Sequence, residues 1–238
     1  MKNLITFILC LMTINAVAQT NDIKRAFEIK NNLLEATVLA YQELPNKDRV
    51  FLCAHIDTLS YRYNYYVQCE NSKGELIYKS NFTNRINTPC GGPLGGLIDF
   101  ATTQKGIIIL FGGGCYSVPF SVNSTSDGGN TWKQNNLGHS PFLPQIISPI
   151  RRLNENVILF YYNHIRENPQ IYITYDGGTT WEIKTLNTTI KEPINIGIMK
   201  INCTKKGKIT VSCKYTNNEN KDIGTQKFIS KDFGKTFK

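Results

Sequence analysis

Hydrophobic positions in this chain come in short runs of roughly four to eight residues, rich in Thr, Val, Ile, Tyr and Phe and bounded by Gly, Asn and Pro. Those runs predict strands at 34–41, 50–56, 63–69 and 76–80, then at 97–102, 107–111, 118–123 and 131–135. A third group follows at 146–151, 157–162, 170–174 and 180–186, and a fourth at 196–202, 209–215 and 226–230. The most apolar of them, Gly106 to Phe111, has the length of a strand and not of a membrane helix. One apolar stretch is of a different kind. Leu4 to Ile14 follows Lys2 and precedes Ala16-Val17-Ala18 and Gln19, the layout of a cleavable secretory signal, and it is too short to cross a bilayer. The reading is therefore a signal at 1–18, which takes Cys10 with it, and one all-β domain at 19–238 with no integral membrane segment after signal removal.

Three stretches superimpose without gaps: TSDGGNTW at 125–132, TYDGGTTW at 174–181 and SKDFGKTF at 230–237. Each places a hydroxyl, an aspartate, a glycine, a threonine and a large ring at the same offsets, so the chain is a repeat. One copy reads as a tight turn between two strands. Asp127, Asp176 and Asp232 can accept backbone N–H groups of their own turns, while Gly129, Gly178 and Gly234 supply positive φ. Trp132, Trp181 and Phe237 then open the next strand with a ring that can wedge into the core.

These residues resemble the Asp-box, or BNR repeat, of sialidases and other secreted β-propellers. The resemblance places each box on the turn between the third and fourth strands of a blade and gives the boxes a structural role. A decayed fourth copy, ENSKGELI at 70–77, aligns with Gly74 on the box glycines, Ser72 in the aspartate position and Ile77 in the ring position. The expected fold is a sialidase-like β-propeller of about four blades, with an open or partial propeller as the alternative. Phe27-Glu28-Ile29-Lys30 echoes Trp181-Glu182-Ile183-Lys184 and is a candidate outer strand to close the last blade; residues 22–26 can instead begin a short helix.

Charge and cysteine content refine the picture. A net charge of +9 favours acidic partners, although the lysines are scattered without a basic run, which suits solubility equally and gives no nucleic-acid signature. Cys53, Cys69, Cys90, Cys115, Cys203 and Cys213 remain after signal removal, allowing up to three disulfides in an oxidising compartment, with buried free thiols as the alternative. The expected location is secreted, periplasmic or extracellular.

In the resembling family the ligand face lies away from the boxes. Alternating turns put His55, Arg62, Arg85, Tyr116, His139, His164 and Arg166 on that face, together with Asp57 and Glu167. No HxH, HExxH or CxxC spacing accompanies them, so neither a metal nor a cofactor is expected. Three functions stay open. The first is a non-catalytic module binding a glycan or protein, an acidic one being favoured by the charge. The second is a sialidase-like glycoside hydrolase, for which the resemblance nominates Arg62, Arg85 and Arg166 as a carboxylate clamp, Asp57 as acid–base and Tyr116 paired with Glu167. The sequence departs from that family at Arg85-Ile86-Asn87-Thr88-Pro89, where the proline of the Arg-Ile-Pro signature falls two positions late. The third is an extracellular structural or assembly factor.

Overall fold

The computed structural model describes residues 24, 36–57, 62–82, 93–112, 119–139, 146–147, 149–163, 168–190, 195–217, 219 and 221–238. Among them, strands follow one another up and down in four antiparallel sheets taken in chain order. The first holds β1 (Ala36–Glu43), β2 (Arg49–Asp57), β3 (Arg62–Glu70) and β4 (Leu76–Asn81). The second holds β5 (Pro93–Phe100), β6 (Gly106–Gly112), β7 (Pro119–Thr125) and β8 (Lys133–His139). In the third, β9 (Ile146–Ile147) and β10 (Arg151–Arg152) both pair with β11 (Ile158–Asn163), followed by β12 (Gln170–Thr174) and β13 (Glu182–Thr185). The fourth holds β14 (Asn195–Cys203), β15 (Ile209–Thr216) and β16 (Asp222–Ser230). The single strand expected at 146–151 is thus divided around Pro149, which has no N–H to give a ladder.

The sheets stack as propeller blades, and their second strands show how. In β6, Ile108 and Leu110 join a core with Leu52, Val67 and Phe100 of the first two sheets. The alternate residues Ile107 and Ile109 join Val122, Ile158, Phe160 and Tyr172 between the second and third sheets. In β11, Leu159 points the other way, with Ile171 and Ile173, into a core shared with Ile209, Val211, Cys213 and Tyr215 of the fourth. Side chains alternate across a strand, so β6 and β11 must be apolar at successive positions. Among the described residues β15 has a partner sheet on one face only, and it alternates buried and half-buried residues along its length.

Polar contacts fix how neighbouring sheets sit. Gln42 of β1 donates its amide to the Phe100 carbonyl (2.9 Å) and accepts the Phe100 N–H (2.7 Å), so a side chain completes the backbone pairing of the next sheet. Arg152 of β10 pairs with Asp99 of β5 across the second and third sheets.

Two details differ from the sequence expectation. The turn at 71–75 is an ordinary hairpin: Asn71 accepts the N–H groups of Lys73 and Glu75 through its side chain, and Gly74 bonds back to Asn71. Ser72 takes no aspartate-like role there, and Ile77 is 42% exposed and not wedged. The register nevertheless carries over, because Cys69 pairs with Tyr78 as Ser124 does with Lys133 and Ile173 with Glu182.

The second detail concerns closure. Among the described residues, no strand of the fourth sheet pairs with the first. Beside β16, Lys238 exchanges both backbone hydrogen bonds with Ile229, standing where Lys133 and Glu182 stand in the earlier sheets. Phe237 therefore stands where Trp181 does, as the alignment of the three boxes expects. Residues 27–30 lie outside the described residues, and of 22–26 only Lys24 is described, in helical conformation.

Candidate functional site

The three aspartate turns share one hydrogen-bond pattern. Thr125 donates its hydroxyl to Asp127 (2.9 Å) and accepts the Gly129 N–H (2.8 Å), while the Asp127 carboxylate accepts the Thr131 N–H (2.9 Å) and hydroxyl (2.6 Å). Thr174, Asp176, Gly178 and Thr180 repeat these bonds at 2.8, 2.9, 2.8 and 2.6 Å. Ser230, Asp232, Gly234 and Thr236 do so at 2.6, 2.7, 3.1 and 2.6 Å. The residue after each aspartate also donates its N–H to the hairpin of its own sheet. Gly128 bonds the Gln104 carbonyl (2.9 Å), Gly177 that of Asn156 (2.9 Å) and Phe233 that of Gly207 (3.0 Å).

The carboxylates are thereby held ionised. The Thr131 hydroxyl and N–H hold Asp127 at about 2, and the Ser230 and Thr236 donors hold Asp232 well below the usual carboxylate range. Burial works to raise Asp176, yet hydrogen bonds from Thr180 and Thr174 outweigh it and leave it lowered. Acids committed in this way are fold staples, with no proton to donate near neutral pH.

Each turn also docks on its neighbours. A Cβ on Gly129 would stand 2.7 Å from that of Ser80 in the first sheet, and one on Gly178 would stand 2.9 Å from Ile107 Cδ1 in the second. Trp132 lies against Phe82, ring centroids 5.4 Å apart, and Trp181 meets Phe160 edge-on at 5.4 Å.

At the opposite end of the first sheet, β2 finishes and β3 begins with the backbone pair Asp57 and Arg62, two residues beyond the pair His55 and Asn64. His55 is half-buried. At the same end of the second sheet, His139 closes β8 opposite Pro119. The structure thus gathers His55, Asp57 and Arg62 at one sheet end and leaves His139 on the neighbouring sheet. Arg85, Tyr116, His164, Arg166 and Glu167 lie outside the described residues, as do Cys90 and Cys115. Among the described residues, no three His, Cys, Asp or Glu side chains gather as a metal would require.

For three of the cysteines the structure shows the free-thiol alternative. Cys69, Cys203 and Cys213 are free thiols lying on strands within or beside the cores. Burial pushes the Cys69 and Cys213 thiols up to about 12, so they behave as small apolar groups. Two residues that the sequence reading passed over, Tyr175 and Phe233, line a cleft at the turn end. The signal for them was the phenylalanine of SKDFGKTF, at a position where the other copies hold glycine.

No family model matches the chain, and no curated protein matches it. Solved structures do resemble it. The GH74 enzyme of Niastella koreensis is 13% identical, with a TM-score of 0.48, over 84% of this chain and 29% of that one. The NanB sialidase of Streptococcus pneumoniae is 16% identical, with a TM-score of 0.39, over 70% of this chain and 26% of that one. YCF48 bound to D1 peptide is 21% identical, with a TM-score of 0.31, over 64% of this chain and 41% of that one. The chain therefore spans less than half the length of each of these three.

Proposed function

We propose that this chain is an exported propeller of the Asp-box kind which binds a glycan, without catalysis, through the sheet ends opposite its aspartate turns. The observation that carries the reading is the commitment of the turn end. There Asp127, Asp176 and Asp232 are consumed by their own threonines, while Asp57, Arg62 and His139 stand at strand ends on the other side. A net charge of +9 adds attraction for acidic sugars. Export rests on the signal layout of residues 1–18.

The test is calorimetry of the secreted form, residues 19–238, with a panel of sialylated and uronate-containing oligosaccharides at two salt concentrations, beside a fluorogenic sialoside assay. Binding is expected to weaken at least tenfold in Arg62→Ala or Arg85→Ala and to fall with salt, with no sialoside turnover. Hydrolysis that Arg85→Ala abolishes would replace this reading with the hydrolase. A panel that fails to bind would remove the glycan from it.

A further inference from the structure

A shallow, open cleft of about 430 Å³ lies at the turn end between the third and fourth sheets. Val157 forms part of its floor, Tyr175 and Phe233 contribute aromatic walls, and Asn154, Asn156, Glu155 and Lys235 edge it. The two rings are half-buried, whereas the four polar residues are exposed.

The repeat itself shows what is unusual here. Tyr175 immediately precedes Asp176 in the third sheet, and Phe233 immediately follows Asp232 in the fourth. At the boundary between the second and third sheets the matching residues are Ser126 and Gly177, and the Lys105 ammonium lies beside Gly177. At the boundary between the first and second sheets they are Asn71 and Gly128. A pair of rings therefore walls only the third of these three boundaries. Phe233 also holds a conformation suited to glycine, φ 59°, where Gly128 and Gly177 have 68° and 71°. A bulky side chain is strained in that region, and such strain clusters at functional sites.

Packing of the ring on Gly207 offsets part of that strain. It does not account for the polar edge or for Tyr175, whose hydroxyl is buried with no hydrogen-bond partner among the described residues. Burial, with Glu182 and Asp232 nearby, pushes that phenol up to about 12. Flat rings beside side-chain amides, a carboxylate and an ammonium suit a ligand with an apolar C–H face and a fringe of hydroxyls.

We infer that this cleft is a saccharide subsite, separate from the opposite sheet ends proposed above, in which one sugar ring lies against Phe233 and Tyr175 while Asn154, Glu155 and Lys235 bond its hydroxyls. The test is saturation-transfer NMR and calorimetry of residues 19–238 with a panel of neutral mono- and disaccharides, using wild type, Phe233→Gly and Asn154→Ala/Lys235→Ala. Phe233→Gly restores the glycine of the other copies. It is expected to retain the cooperative melt while weakening saccharide binding at least tenfold, and the double variant at least fivefold. Lys73→Ala, in the exposed hairpin of the first sheet, is the control and is expected to leave this binding unchanged. Absence of any panel binding to wild type, or binding equal in wild type and Phe233→Gly, would overturn the inference. Loss with Arg62→Ala alone would return the ligand to the opposite end. Should Phe233→Gly fail to fold, the double variant at the exposed edge decides the matter by the same readout.

Discussion

Replacing Phe160 by alanine is expected to lower the unfolding free energy by about 3–5 kcal/mol. Phe160 is fully buried, stacked on Tyr172 with ring centroids 5.0 Å apart and an interplanar angle of 6°, and met edge-on by Trp181. It belongs to the cluster that joins the second sheet to the third, so truncation opens a cavity and removes two ring contacts together. Ile183→Ala, on the exposed face of β13, is the control and is expected to change stability by less than about 0.5 kcal/mol. Urea unfolding followed by far-ultraviolet circular dichroism measures both. A loss below about 1 kcal/mol at Phe160 would show that the second and third sheets do not pack as described.

Gly129→Ala is expected to cost about 3 kcal/mol, through two causes that add. The residue has φ 82°, where a Cβ is strained by about 1–2 kcal/mol, and that Cβ would stand 2.6 Å from Ser80 Oγ and 2.7 Å from Ser80 Cβ, overpacking the joint between the first two sheets by about 1–3 kcal/mol. Ser80 cannot move aside freely, because its hydroxyl is bonded to the Gly129 carbonyl. The adjacent Gly128→Ala separates the causes. It has a similar φ of 68°, but its added Cβ would meet only the end of the Gln104 side chain, 3.0 Å away. Its cost is expected to be about 1–2 kcal/mol, from the backbone strain alone. Equal losses at the two glycines, read from the same unfolding curves, would contradict the docking of the turn on the first sheet.

Much of this architecture was legible because local chemistry and fold agree. The aspartate turns declare themselves through hydroxyl and carboxylate side chains whose bonds lie within one short segment, Thr125 to Thr131 being typical. The central strands β6 and β11 are legible as continuous apolar runs, and the alternation in β15 marks a sheet covered on one face. The fourth copy was less legible, since Gly74 is needed equally by a plain hairpin and by an aspartate turn, and the difference lies in the Asn71 side chain. Contacts between sheets left no mark on the sequence: Gln42 with Phe100 and Arg152 with Asp99 join residues far apart in the chain, each of an ordinary polar type. The cleft was hidden for a related reason. Its walls come from two copies, and Tyr175 and Phe233 matter only once the third and fourth sheets are side by side.

The central claim is that the three aspartate turns are equivalent corners of successive sheets, and carbon-detected NMR titration of the aspartate carboxyl groups tests it most directly. An unconstrained aspartate is half-protonated near pH 3.9. In this protein Asp127 is predicted to titrate at about 2 because Thr131 donates to its ionised form, with Asp232 lowered by Ser230 and Thr236 and Asp176 lowered by Thr180 and Thr174 against the effect of burial. The Asp127 and Asp232 signals should therefore remain those of carboxylates as the pH falls through 4, and the midpoint of Asp176 should lie below the ordinary value. Any one of them titrating at the ordinary value in the folded protein would show that its turn is not the corner described, and the equivalence of the sheets would fail with it.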